Sequence, residues 1–164
     1  GDLTVARRYL QASGSDTRAV FGGGKGTNNS AVNVLDYVAI ATTGNATDFG
    51  NLLATVQTMG TASNAIRSIW AGGDSSEEVI QYITIATTGN STDFGDLIAG
   101  RKSWNGMSSS TRAFFGGGLL SNNTVQTGIE YVTIASTGNS LDWGDQAIQA
   151  SHFSSTSTSH GGLA

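Results

Sequence analysis

Apolar and aromatic residues occur along this chain in short runs, which recur every 45 to 49 residues and are separated by polar segments rich in Gly, Ser, Thr and Asn. Aligning the chain on itself gives three near-copies, residues 1–49, 50–94 and 95–143, and a partial fourth copy, residues 144–164. A fixed period of this length indicates one supersecondary unit per copy. The sequence therefore predicts a single repeat array.

Each copy contains four segments that the pattern predicts as short β-strands. An apolar run ends in glycines, and a second run, rich in β-branched residues, is centred on a tyrosine. A Thr-Gly-Asn turn, whose Gly and Asn are expected to take positive φ, leads to a return strand. A weaker strand, at 8–12 in the first copy, follows the opening Gly-Asp-Leu. The expected unit is a four-stranded antiparallel sheet without a helix.

Glycine pairs, tyrosines and return-strand aromatics are the recurring structural positions. The glycines are expected where a strand end meets neighbouring backbone too closely for a side chain. The tyrosines, together with Phe21, Trp70 and Phe115, are expected to be largely buried between sheets. The recurring positions are Gly23, Gly24, Gly72, Gly73, Gly117, Gly118, Tyr37, Tyr82, Tyr131, Phe49, Phe94 and Trp143.

The copies differ in length only between the glycines and the tyrosine. An insertion inside a strand would move every following side chain to the other face, so this segment is predicted to project from the sheet. The three loops, 25–33, 74–78 and 119–127, are expected on one face, as the candidate contact surface for a partner. Their candidate contact residues are Lys25, Asn28, Asn29, Asp74, Glu77, Asn122 and Asn123.

Charge and composition narrow the class of protein. The net charge is -4 with only eight Lys and Arg, which argues against a nucleic-acid partner because phosphate binding needs a clustered basic face. Apolar runs are too short for a membrane-spanning helix, and the first residues lack the features of a signal peptide, so any leader is expected upstream. Cysteine is absent. A surface of hydroxyls and amides suits an extracellular or virion protein better than a cytosolic enzyme.

Candidate catalytic chemistry is sparse. The two histidines, His152 and His160, both lie in the partial fourth copy, and no triad spacing recurs around them. Asp48, Asp93 and Asp142 have carboxylates of the kind that bind calcium, but an Asx-type turn is the favoured interpretation. We therefore predict no catalytic residue, no metal and no cofactor.

Two interpretations are open for the recurring arginines, for Trp104 and for several asparagines. The arginine before each glycine strand (Arg18, Arg67, Arg112) would line a polar channel or donate to a neighbouring sheet, and the second is favoured. Trp104 is expected in the core and, less favoured, as an exposed sugar-stacking ring. Four asparagines fit the N-glycosylation pattern, although two of them sit where the turn favours Asn. They are Asn28, Asn45, Asn90 and Asn122.

The order of apolar strand, glycine pair, tyrosine strand and later aromatic resembles the kelch repeat. Phe49 and Phe94 depart from the tryptophan of the kelch pattern, whereas Trp143 keeps it, and the later arginine (Arg7, Arg101) is Val56 in the second copy. The resemblance implies kelch-like β-propeller blades, in a partial array of about three and a half repeats.

The amino-acid sequence of the repeats, as in residues 82–97 and 109–118, is similar to that of repeats in tail fibres and appendages of marine bacteriophages. This likeness implies a non-catalytic virion module that contacts other virion or surface proteins, or a host glycan or receptor. The alternatives are a secreted adhesin or lectin and, less favoured, a carbohydrate-active enzyme on a propeller scaffold. A chain that begins and stops partway through a repeat is further expected to belong to a longer array or to associate through its open edges.

Overall fold

The computed structural model describes residues 1–74 and 77–155, and within them the chain is all-β without a helix. Its strands are β1 (Arg7–Arg8), β2 (Gln11–Gly14), β3 (Arg18–Gly22), β4 (Lys25–Gly26), β5 (Val34–Ala39), β6 (Thr47–Asn51), β7 (Gly60–Ser63), β8 (Arg67–Ala71), β9 (Val79–Thr84), β10 (Thr92–Asp96), β11 (Asn105–Ser108), β12 (Arg112–Gly116), β13 (Gly128–Thr133) and β14 (Leu141–Asp145).

Three four-stranded antiparallel sheets follow one another along the chain. The first sheet has the order β2-β3-β5-β6, the second β7-β8-β9-β10 and the third β11-β12-β13-β14, and β1 pairs with β4 in a small two-stranded sheet. In each large sheet a bulge interrupts the pairing of the last two strands. The four-stranded antiparallel unit predicted from the sequence is confirmed.

Two predicted strand boundaries were wrong. The weak strand expected at 8–12 begins only at Gln11, because Tyr9 has a φ of 57°, which an extended strand cannot contain. The tyrosine strand ends at Ala39, where Thr42 was expected, because the chain turns there. Propensity alone does not mark either break.

One edge strand of each sheet, β2, β7 or β11, lies beside its counterpart in the neighbouring sheet, with equivalent residues opposite one another. We call these three strands the innermost, or inner, strands. Ser63 donates its hydroxyl to the carbonyl of Gly14 (2.8 Å), and Ser108 donates to the carbonyl of Ser63 (2.6 Å). These residues occupy the same position in successive copies. Equivalent ends of the three sheets therefore point the same way.

Two apolar cores fill the spaces between sheets. We call the side of a sheet that faces the preceding sheet its front face, and the opposite side its rear face. The first core joins the rear face of the first sheet to the front face of the second, and the second core repeats this between the second and third sheets. Their largest buried members are Phe49, Met59 and Trp70 in the first and Phe94, Trp104 and Phe115 in the second.

Close backbone approach explains the glycines at the end of each apolar strand. A Cβ on Gly23, Gly72 or Gly117 would lie 2.5, 2.3 or 2.4 Å from a carbonyl oxygen of the next copy. The same glycines have φ of 62° to 63°, a backbone conformation that is strained for residues other than glycine. The close approach inferred from the sequence is confirmed.

The Thr-Gly-Asn turns of the second and third sheets form hydrogen bonds to the preceding sheet. The asparagines of these turns were expected to take positive φ, and they do not. The side chain of Asn90 accepts a hydrogen bond from the backbone of Asn51 (3.0 Å), and Asn139 does the same for Asp96 (3.0 Å). Backbone bonds flank each of these contacts, such as Gly89 N to Phe49 O at 2.7 Å. Asparagine recurs here because its amide oxygen reaches the preceding sheet.

Burial of the predicted aromatics is uneven. Trp70 and Phe115 are fully buried, as expected, whereas Phe21 and the three tyrosines are half-buried. The return-strand aromatics differ more strongly, because Phe49 and Phe94 are buried while Trp143 is 53% exposed. The rear face of the third sheet is therefore open in the described part of the chain.

Buried ion pairs occur in the first and third copies. Arg7 Nη1 lies 2.7 Å from Asp36 Oδ2, and both side chains are fully buried. Arg101 Nη2 lies 3.0 Å from Glu130 Oε1, with side-chain exposures of 8% and 1%. These contacts are close in distance but not aligned as hydrogen bonds, so charge is their main attraction. In the second copy the equivalent residues are Val56 and Gln81, which are uncharged.

Candidate functional site

The described parts of the three predicted contact loops, which leave out residues 75 and 76, lie at one end of the molecule. Each begins directly after the glycines of its sheet, and equivalent ends of the sheets are aligned. The loops are anchored in the same way: Arg8 pairs with Lys25, Gln57 accepts the backbone N–H of Asp74 (2.9 Å), and Lys102 pairs with Leu119. We call this end of the molecule the loop end.

Most of the candidate contact residues are exposed. Asn28 and Asn122 each accept a hydrogen bond from the backbone two residues on, in Asx turns, and the asparagine after each has a φ of 63°. Glu77 is exposed, whereas Lys25 and Asp74 are half-buried, and Asp74 accepts a bond from the Gln57 side chain (2.6 Å). Two tight hairpins therefore present amides to solvent, and their role in binding stays a prediction.

A second feature at the loop end was missed by the sequence reasoning. Tyr9, Thr58, Ser103 and His152 hold the same position in four successive copies, and each has a φ between 55° and 58°. Their backbones form a head-to-tail chain, in which the N–H of each donates to the carbonyl of the one before, at 3.2, 2.9 and 2.9 Å. We call these four residues the inner arc.

A signal for the inner arc exists in the sequence but is faint. The residue after each member is large and apolar in every copy, and these residues are Leu10, Met59, Trp104 and Phe153. The arc residues themselves share no side-chain chemistry, so alignment of the copies alone does not reveal their common backbone geometry. Only a glycine or asparagine there would have indicated positive φ.

The inner arc borders an open cleft of about 760 Å³ along the inner strands. Hydroxyl and amide side chains dominate its walls, with Gln11, Ser13, Thr61 and Asn105 contributed by the strands. Among the described residues, no Asp, Glu, Lys or Arg lines the cleft. Its volume is in the range of small-molecule sites, and its lining combines uncharged hydrogen-bonding groups with apolar surface.

Two of the three repeated arginines, Arg18 and Arg67, follow the favoured interpretation. Arg18 donates to the carbonyl of Ile85 and Arg67 to that of Ile134, both at 2.9 Å and both across a junction between sheets. Each guanidinium also lies over the tyrosine of its own sheet, at 4.5 and 4.6 Å from the ring centroid. Arg112 stacks on Tyr131 and Trp143 but is exposed, in keeping with the open rear face of its sheet.

The structure also decides between the interpretations given for Trp104 and for the three recurring aspartates. Trp104 is 2% exposed and donates its indole N–H to Ala71 O (3.0 Å), so it is a core residue as favoured. Asp48, Asp93 and Asp142 do not form Asx turns, because they lie within strands opposite Asp36, Gln81 and Glu130 beside the bulges. In the part of the chain that the structure describes, no three His, Asp or Glu are grouped so as to hold a metal ion.

One of the two histidines lies within the described residues. His152 belongs to the inner arc, is exposed, and has its Nδ1 3.2 Å from the hydroxyl of Ser151. His160 lies outside the described residues. At the loop end, an open cleft is therefore lined by uncharged donors and acceptors, with charged residues in the loops beside it.

No protein-family model matches this chain, and no curated protein matches it with significance. Within residues 1–74 and 77–155, no helix is long and apolar enough to cross a membrane.

Proposed function

We propose that this chain is a non-catalytic, kelch-like β-propeller repeat module, which displays the loop end for contact with a protein or glycan. The observation that carries the proposal is the alignment of three equivalent sheets, which brings their loops and the inner arc to one end of a packed scaffold. Binding residues are commonly carried on loops that a rigid scaffold positions.

The propeller architecture is supported by the way in which successive sheets pack. Each sheet is antiparallel with strands in chain order, and each packs face to face on the next with its innermost strand beside the neighbouring innermost strand. This arrangement is typical of neighbouring propeller blades. Further sheets, added by the same junction, would extend the array around the inner strands.

The virion setting is supported by the likeness of the repeat wording to tail-fibre and appendage proteins of marine bacteriophages. In that setting, the loop end would bind a host-surface glycan or receptor, or a neighbouring virion protein. The chain would then be one segment of a larger assembly. A secreted adhesin or lectin would use the same surface and differs in origin.

The proposed contact function is tested by binding of the fluorescently labelled chain to intact marine bacterial cells, measured by flow cytometry. A loop-end variant, Asn28→Ala with Glu77→Ala and Asn122→Ala, is expected to lose binding. A matched variant at the opposite end, Asp16→Ala with Thr87→Ala and Thr137→Ala, changes three residues that are also exposed. Equal loss in both variants, or retention in both, would contradict a role for the loops.

The virion setting needs a separate experiment. Mass spectrometry of purified marine phage particles is expected to detect peptides of this chain, and tail genes are expected beside its gene. Detection of the protein only in the culture medium or on bacterial cells would favour the adhesin.

A further inference from the structure

The inner arc contains backbone strain at residues that carry side chains. A positive φ is costly for residues other than glycine, and most of all for a β-branched residue such as Thr58. At other recurring positive-φ positions the chain uses glycine, as at Gly23 and Gly72, or asparagine, as in the two loop hairpins, but it uses neither at the four arc positions. We propose that the arc side chains and the cleft beneath them bind a neutral saccharide. This inference rests on the proposed contact function and gives it a site.

The variation of residues within the arc supports a binding role. Tyr, Thr, Ser and His share one backbone conformation and one chain of hydrogen bonds, so the conformation does not depend on the side chain. If the arc served the fold alone, glycine would form it with less strain. The arc instead presents a different side chain in each copy, on a backbone that has the same conformation in all four.

The chemistry of the cleft matches an uncharged polyol. Several groups that border it are free to bond a ligand: within the described part of the chain, the side chains of Gln11 and Ser103 and the hydroxyl of Tyr9 make no hydrogen bond. The hydroxyl of Thr58 is buried and has no partner among the described residues. Buried polar atoms are usually satisfied, so this hydroxyl is a candidate for a bond to ligand or water.

Tyr9 gives the site an aromatic surface. Tyr9 is 58% exposed, and the guanidinium of the neighbouring Arg8 lies 5.4 Å from the ring centroid. An exposed ring with a polar tip, at the border of a hydroxyl-lined cleft, can stack on the C–H face of a pyranose while hydrogen bonds hold the sugar hydroxyls. Because Asp, Glu, Lys and Arg are absent from the described lining, a charged ligand finds no carboxylate, ammonium or guanidinium inside the cleft.

The test uses an array of immobilised oligosaccharides that includes neutral, sialylated and sulfated members, followed by titration with the neutral member that is retained best. Tyr9→Gly and Thr58→Gly relieve a positive φ and are expected to leave the melting temperature nearly unchanged. Each is expected to weaken binding at least tenfold. Asp16→Gly and Thr137→Gly are controls, because they place glycine at exposed positions at the opposite end of the molecule, and they are expected to retain binding. Asn29→Gly and Asn123→Gly place glycine at positive φ in the loops, so they report separately on a loop contribution.

Each outcome decides the inference. Retention of neutral oligosaccharides that depends on Tyr9 and Thr58 would support it. Loss of retention in the Asn29 and Asn123 variants alone would overturn it and leave the proposed contact function to the loops. Preference for sialylated or sulfated members would overturn it in favour of the cations beside the arc, Arg8 and Lys102. Retention of no saccharide would also overturn it, while cell binding reports separately on the proposed function.

Discussion

The second and third sheets are built from equivalent residues but differ in how many of their faces are covered. In the second sheet, Trp70 is fully buried on the front face and Phe94 is 3% exposed on the rear face. In the third sheet, Phe115 is fully buried, whereas Trp143, the equivalent of Phe94, is 53% exposed. The comparison shows that the repeat gives every sheet two apolar faces, and that a neighbouring sheet decides whether each is buried.

The same two sheets also differ in a buried charge. Glu130 accepts hydrogen bonds from Ile98 N (2.9 Å) and Ser140 Oγ (2.6 Å), and its other oxygen faces Arg101. Gln81 accepts the equivalent bonds from Leu53 N (2.8 Å) and Ser91 Oγ (2.7 Å), but Val56 replaces the arginine. The acid and the arginine are present together or absent together, which is expected because an unpaired buried charge is expensive.

The largest expected effect is at the covered front face of the second sheet. Trp70→Ala should lower the free energy of unfolding by about 3–5 kcal/mol, because the indole is fully buried in the first core and its removal leaves a cavity. Urea denaturation followed by circular dichroism measures the loss. An unchanged transition midpoint would contradict the packing of the first two sheets.

The buried pair of the third sheet gives the next effect. Glu130→Gln should cost about 3 kcal/mol, because it leaves the buried guanidinium of Arg101 without its carboxylate. Adding Arg101→Val recreates the arrangement of the second sheet and should recover stability to within about 1 kcal/mol of the unsubstituted chain. Thermal unfolding of the single and double variants decides this, and a double variant less stable than Glu130→Gln would refute the equivalence.

A smaller effect is expected at the open rear face of the third sheet. Trp143→Ala should cost about 1 kcal/mol, because Trp143 is half-exposed and packs mainly on Phe114 and Tyr131, at 5.0 and 5.5 Å between ring centroids. Phe94→Ala, the matched change in the covered sheet, should cost about 3–5 kcal/mol. Equal losses in urea denaturation would show that something covers Trp143 in solution.

The features predicted from the sequence are those that side-chain periodicity determines. The strand around Tyr82 and the glycines at Gly72 and Gly73 recur with alternation and spacing that only paired strands explain. The inner arc was not predicted, because neither Thr58 nor any of its equivalents is a glycine or an asparagine, the residues that indicate positive φ. The pair of Arg7 and Asp36 was not predicted either, since 28 residues separate them and only the folded sheet brings them together.

The smallest effect is expected at the turn asparagines. Comparing them tests whether the second and third sheets differ only at the rear face. Asn90→Ala removes the bond to Asn51 N at the first junction, and Asn139→Ala removes the bond to Asp96 N at the second. Both bonds are exposed and lie on the front side of their sheets, so each loss should be about 0.5–1 kcal/mol and the two should be equal within error. Urea denaturation of both variants, with the slope checked for constancy, measures them. A loss at Asn139 several times that at Asn90 would mean that the open rear face weakens the whole third sheet; equal losses would confine the difference between the sheets to the rear face itself.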